Sequence, residues 1–191
     1  MRVMFGKVAY PERHYALVAR DDGVVYRLGG GPATPGIPHD LVHYTVEDAL
    51  GLSDGIWGAI AGGVVFRSMT HVSGRRPPHA ADRSAEMIRV HRDSLQRAEM
   101  VGGLVEHLAE HGDADLQKVL RMALSTRPDI ALDPAAVRRA AYAVREAAER
   151  WRTVPVGGQL TCHWPAYRKL VVPLRPRNRQ NRRGRLQRSQ A

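Results

Sequence analysis

The chain has 191 residues, 43% hydrophobic and 25% charged, which is enough apolar material for a core and too much for a wholly disordered protein. Its net charge of +10 is unevenly placed. The last acid is Glu149, and seven arginines with no acid lie between Arg175 and Arg188, so the body is nearly balanced and the tail strongly basic. The lone Cys162 excludes an internal disulfide. The N-terminus has no signal-peptide run, and the longest apolar stretch, Ile56 to Phe66, falls well short of the ~20 residues that span a bilayer. These features predict a cytoplasmic protein with no membrane segment.

The first elements read as β structure. Arg2 to Ala9, His14 to Ala19 and Val24 to Leu28 are short runs rich in Val, Tyr and Leu, and Asp22-Gly23 between the last two supplies a tight hairpin turn. Gly29-Gly30-Gly31-Pro32 is expected to end the third run, and the segment through Pro38, with Pro32, Pro35 and Pro38, to be a loop, of which Gly29 to Gly36 suits either a turn or a mobile cover over a site at the following helix. Pro38 then starts a helix that Gly51 stops near Leu50. Asp54 is expected to cap a second, wholly apolar helix over Ile56 to Phe66. Ser68 to Ala81 reads as a loop. One long helix is predicted over Arg83 to His111, kinked or divided at Gly102-Gly103.

Asp113 precedes a helix carrying the stripe Leu116, Val119, Leu120, Ala123 and Leu124, and Asp133-Pro134 is a strong start for another in which Val137, Val144 and Trp151 recur at seven. Gln159 to Trp164 and Arg168 to Leu174 read as strands. The whole predicts one α+β domain over residues 1–174, with a small antiparallel sheet built from the N-terminal hairpin and the C-terminal strands and packed against about five helices. Residues 175–191 have only Leu186 and Ala191 as apolar side chains and are expected to be disordered alone.

Two features carry candidate chemistry. The first is His39-Asp40-Leu41-Val42-His43-Tyr44-Thr45-Val46-Glu47. At 3.6 residues per turn, positions i, i+4 and i+8 share one stripe of a helix. His39, His43 and Glu47 therefore line up as two imidazoles and a carboxylate, a set that suits Zn²⁺ or Fe²⁺. Asp40 takes the place of the acid beside the first histidine in His-Glu-x-x-His, the general base of such sites, though it is one methylene shorter. The same residues also suit an ordinary helix. The apolar face is Leu41, Val42, Val46, Ala49 and Leu50, the stripe runs beside it towards the polar side, and Asp40 in the first turn favours the helix dipole. His107 and His111 repeat the i, i+4 spacing without a clear third ligand. They suit a solvated helix end, or a shared site should the two helices pack together. Cys162 and His163 are adjacent on a strand and so face opposite ways, which leaves Cys162 as a small buried hydrophobe.

The second feature is the tail. Arg175, Arg177, Arg179, Arg182, Arg183, Arg185 and Arg188, interleaved with Asn and Gln, offer bidentate donors to phosphate, as in arginine-rich segments that fold on RNA. The tail has no aromatic residue on which a base can stack, and its arginine content also suits a simple solubilising segment. The leading expectation is a binding module that contacts RNA or another polyanion through these arginines, without a cofactor, a protein partner also being open. The alternative is a metal-dependent hydrolase that uses His39, His43 and Glu47, with Asp40 as base. The segment Pro38 to Glu47 followed by Gly55-Ile56-Trp57-Gly58, and more faintly Val156 to Pro165, resembles segments of uncharacterised bacterial proteins from GC-rich genomes. That resemblance implies no activity.

Overall fold

A computed structural model describes residues 1–32, 36–126 and 132–171. The architecture is α+β. Five strands, β1 (Arg2–Gly6), β2 (Arg13–Ala19), β3 (Val25–Pro32), β4 (Met69–Ser73) and β5 (Gln159–His163), form one sheet in the order β4-β3-β2-β1-β5. Every neighbouring pair is antiparallel. Among the described residues six α-helices accompany it: α1 (His39–Leu50), α2 (Ile56–Ala61), α3 (Ala80–Val90), α4 (Arg92–His111), α5 (Leu116–Thr126) and α6 (Pro134–Thr153). Among the described residues no helix is long and apolar enough to cross a membrane.

Alternation along β1 to β3 turns one face inward: Val3, Phe5, Ala16, Val18, Tyr26 and Leu28 are buried. They pack against Leu41 and Tyr44 of α1, Trp57 of α2 and Trp164. Phe5, Tyr44, Trp57 and Trp164 are linked by edge-to-face ring contacts, with centroids 5.3 to 5.7 Å apart. A second core lies among the helices, where Val42 and Val46 of α1 meet Val101, Val105 and Leu108 of α4 and Ala140, Ala141 and Val144 of α6. α1 therefore serves both cores. Every residue from Leu41 to Glu47 is buried, and no polar side of the helix remains over that span. The expectation that the His/Glu stripe runs towards a polar face is corrected here.

Several local readings hold. Asp22 Oδ1 accepts from the Val24 N–H and Gly23 takes φ 79° in the turn between β2 and β3. Gly51 ends α1 in the left-handed conformation, φ 69° and ψ 25°. The carboxylate of Asp133 accepts from the N–H groups of Ala135 and Ala136 at 3.0 and 3.1 Å, capping α6.

Others are corrected. Gly29 to Pro32 continue β3 instead of opening a loop, because backbone pairing with β2 holds them where no side chains are needed; Arg13 Nε also donates to Gly30 O at 2.9 Å. Met69 to Ser73 form β4, an edge strand whose last four residues are all exposed, so it lacks the apolar alternation that marks a strand in sequence. α2 stops at Ala61, and the chain turns at Gly62-Gly63. The predicted long helix divides at His91, not at Gly102-Gly103. Asp113 leads into a single 3₁₀ turn, Asp113–Asp115, before α5. Arg168 to Val171 have no strand structure; β5 is the only C-terminal strand among the described residues. The seven tail arginines and the segment 33–35 of the expected loop lie outside the described residues.

Candidate metal centre

α1 brings His39 and His43 to one side at i, i+4, with their Nε2 atoms 3.1 Å apart and ring centroids 4.3 Å apart. α4 packs across α1 and delivers Glu99, whose Oε2 is 3.5 Å from His43 Nε2. One ligand atom from each of His39, His43 and Glu99 falls within 4.8 Å of the others. The two Nε2 atoms are within hydrogen-bond reach of each other, and the same 3.1 Å is close to the ~3.3 Å that separates two nitrogens on one tetrahedral Zn²⁺. His43 is buried, whereas Glu99 is half exposed at 52% of its side-chain surface. The centre thus has a buried wall and an open side.

Burial, followed by the neighbouring His39, pushes the His43 imidazole down to about 4. It is neutral at neutral pH, which is the form that ligates metal. Its Nδ1 is buried without a hydrogen-bond partner and lies against Gly102 of α4, where an added Cβ would stand 2.6 Å from that nitrogen. The absence of a side chain at Gly102 makes the space for this ring. Gly102 is therefore a buried helix-contact residue, and α4 runs unbroken through it and the exposed Gly103.

Asp40 stands one residue along α1, half-buried, its Oδ2 3.1 Å from where a Cβ on Gly30 of β3 would sit. Burial raises its carboxyl, the His39 charge opposes that shift, and Glu99 adds to it. Glu106, one α4 heptad beyond Glu99, is raised mainly by burial while His39 pulls it down. Two imidazoles thus sit among three carboxyl groups, an electrostatic surrounding that favours a cation.

Glu47 does not join them. Although it lies on the predicted stripe, its carboxylate turns to the start of α2. Oε1 accepts from the Ile56 N–H at 2.9 Å and Oε2 from the Trp57 N–H at 3.0 Å. It is 1% exposed. The reading of Glu47 as third ligand is corrected: the N-terminus of α2 presents N–H groups with no helical partners, and the carboxyl oxygens of Glu47 accept from two of them. Glu47 also replaces Asp54 as the cap of α2, while Asp54 pairs with Arg97 at 2.6 Å. No local spacing in the sequence points to Glu99, because it lies fifty-six residues after His43 and reaches the pair only through the crossing of α4 over α1.

His107 and His111 form no joint site with the first pair. Their rings stack at 4.0 Å, His107 Nε2 contacts Asp115 Oδ2 at 3.0 Å, and His111 Nδ1 contacts His107 O at 2.9 Å. Cys162 is half-buried against the core and its thiol is pushed up by burial, while His163 is exposed on the other face, as the strand alternation requires. Scans of the chain against protein-family models, curated proteins and solved structures find no match.

Proposed function

We propose that the protein is a metal-dependent hydrolase whose Zn²⁺ or Fe²⁺ is held by His39, His43 and Glu99. The observation that carries this reading is the convergence of three ligand atoms from two packed helices within 4.8 Å. Two histidines and one glutamate form a recurrent catalytic zinc set, and such a set leaves a coordination position for water and substrate. The half-exposed Glu99 lies on the side from which substrate would enter. Asp40, with its carboxyl raised by burial, is the adjacent group suited to accept a proton from an activated water. The single cysteine fits a reducing, cytoplasmic setting for this activity.

Elemental analysis of the purified full chain tests the reading. One transition-metal ion per chain is expected in the native protein and none in the His39→Ala, His43→Ala double variant. Hydrolysis of a p-nitrophenyl ester and of bis(p-nitrophenyl) phosphate should fall in parallel. A native chain that binds no metal when Zn²⁺ or Fe²⁺ is supplied would overturn it.

A second reading rests on a separate observation, the seven arginines from Arg175 to Arg188 with no acid among them. We propose that this run binds a polyanion such as RNA. Each neutralised phosphate steepens the fall of log K with log salt by about 0.7 for a single strand. Loss of that salt dependence in a chain ending at Leu174 is the expected result, and unchanged binding would refute it.

A further inference from the structure

The sheet has two faces, and the helices cover one. The outward rows are Arg2, Ala19, Val25 and His163; Met4, Leu17, Arg27, Thr70 and Thr161; and Gly6, Tyr15, Gly29 and Gln159, read across the paired registers. Arg2, Arg27, Gly29, Thr70, Gln159, Thr161 and His163 are exposed, and Met4, Tyr15, Leu17, Ala19 and Val25 are half-buried. These rows hold two arginines and no carboxylate. Asp21 and Asp22, at the hairpin end, are already engaged by the Met1 amino group and by Arg20.

One aromatic ring is laid flat on this face. Tyr15 on β2 leans across β1, so that a Cβ on Gly6, its cross-strand partner, would collide with the ring. The tyrosine hydroxyl reaches β5, where Gln159 Nε2 donates to it at 3.4 Å. From the β3 side the Arg27 guanidinium extends over the ring, 4.6 Å from its centroid. A glycine at a paired strand position gives up side-chain packing; at Gly6, the last residue of β1, it lets an aromatic ring lie along the sheet instead of standing off it. The result is a tyrosine ring with an arginine guanidinium held over it on an open antiparallel sheet, bordered by a second arginine and by Gln, Thr and His side chains.

We propose that this face binds single-stranded nucleic acid, with a base stacking on the Tyr15–Arg27 pair and phosphates meeting Arg2 and Arg27. The charge fits a polyanion, because the rows offer cations and no acid. The chemistry fits a single strand, because only unpaired bases can lie flat on an aromatic and guanidinium platform. The polar side chains at the border can meet base edges. This surface lies on the face of the sheet away from α1, so it does not depend on the metal centre. It also supplies the stacking group that the arginine tail lacks.

The test uses the full chain and a 12-nucleotide oligouridine carrying one 2-aminopurine, whose fluorescence falls when the base stacks. Quenching on binding is expected, with the single strand displacing an equal-length duplex rather than the reverse. Tyr15→Ala and Arg27→Ala should each weaken binding by about tenfold and remove most of the quench, while Tyr15→Phe keeps both. Arg27 is exposed, so its variant tests the platform even should Tyr15→Ala unfold. Binding through the tail alone leaves Arg27→Ala equal to the native chain and shows no quench, which overturns the proposal. A concentration-dependent dimer that Leu17→Lys dissolves, with no quench at any concentration, overturns it in favour of a second copy of the chain on this face.

Discussion

The imidazole of His43 occupies the space that a side chain at Gly102 would need, with Nδ1 2.6 Å from the position of a Cβ there. Both residues are buried in the contact between α1 and α4. In an exposed helix interior Gly→Ala stabilises by ~1 kcal/mol through propensity. Here the added methyl has no free volume, and overpacking costs about 1–3 kcal/mol. Gly102→Ala is therefore expected to lower the melting temperature and to push His43 away from His39 and Glu99. Calorimetry together with a Zn²⁺ titration checks this. A more stable variant with unchanged metal content would show that the ring is not seated against Gly102. The neighbouring Gly103 is exposed, and a Cβ there meets nothing within 4 Å, so Gly103→Ala serves as the control and should stabilise.

Glu99 of α4, not Glu47, stands beside His39 and His43, while Glu47 faces the start of α2. Glu99→Gln is expected to weaken metal binding at least tenfold with little effect on the fold, since its side chain is half exposed. Glu47→Gln should leave the metal content intact and lower stability instead, because the amide NH2 would face one of the two backbone N–H groups that cap α2, where a carboxyl oxygen can accept and an NH2 cannot. Metal stoichiometry and urea midpoints of the two single variants separate the roles. Metal loss in Glu47→Gln with retention in Glu99→Gln would restore Glu47 as the ligand.

Zn²⁺ that binds only the folded chain should also stabilise it. At a free concentration 100 times the dissociation constant the gain is about 2.7 kcal/mol. The melting temperature of the native chain is expected to rise with added Zn²⁺ and to fall back with chelator. That of the His39→Ala, His43→Ala variant should stay flat, and an equal rise in both would place binding elsewhere.

The sequence was most legible where an element is set by its own residues. Asp133-Pro134, Gly51 and Asp22-Gly23 each act through backbone groups within a few positions, and all three do what their residue types predict. It was least legible where pairing or packing decides. Met69–Ser73 becomes a strand because β3 offers an unpaired edge, and nothing in its own composition demands it. Gly102 reads as a helix break until His43 is found against it. His39 and His43 were legible because their spacing is local. Glu99 was not, because it arrives on another helix, and Glu47 was misread because a periodicity argument says which side chains share a stripe but not which nearby N–H groups compete for a carboxylate.

The cap of α6 gives a further prediction. Asp133 holds two N–H groups at the start of a helix whose inner face, Val137, Ala140, Ala141 and Val144, packs against α1 and α4. Asp133→Ala should cost about 1 kcal/mol. The loss is expected in global stability, as a lower urea midpoint with an unchanged slope, because fraying at this end reaches the shared helical core within one turn. A changed slope would instead report local unfolding of α6.

Stability should also depend on pH through Glu47. Burial pushes its carboxyl from 4.5 up to about 8, against the pull of the Trp57, Ile56 and Gly58 N–H groups. The folded chain therefore keeps a proton on Glu47 over a range in which the unfolded chain has lost it. The sign follows. Stability from this group is fully present below pH 4.5, declines as pH rises, and is lost once pH passes about 8. The change over that window is on the order of a few kcal/mol. Urea midpoints of the native chain are expected to fall between pH 5 and pH 9, with Glu47→Gln giving a lower but flatter curve because nothing titrates at that position. Both curves should be taken in chelator, so that metal binding at His39 and His43 adds no pH dependence of its own. Parallel curves for the native chain and Glu47→Gln would mean that Glu47 keeps its charge throughout, held by the N–H groups of α2.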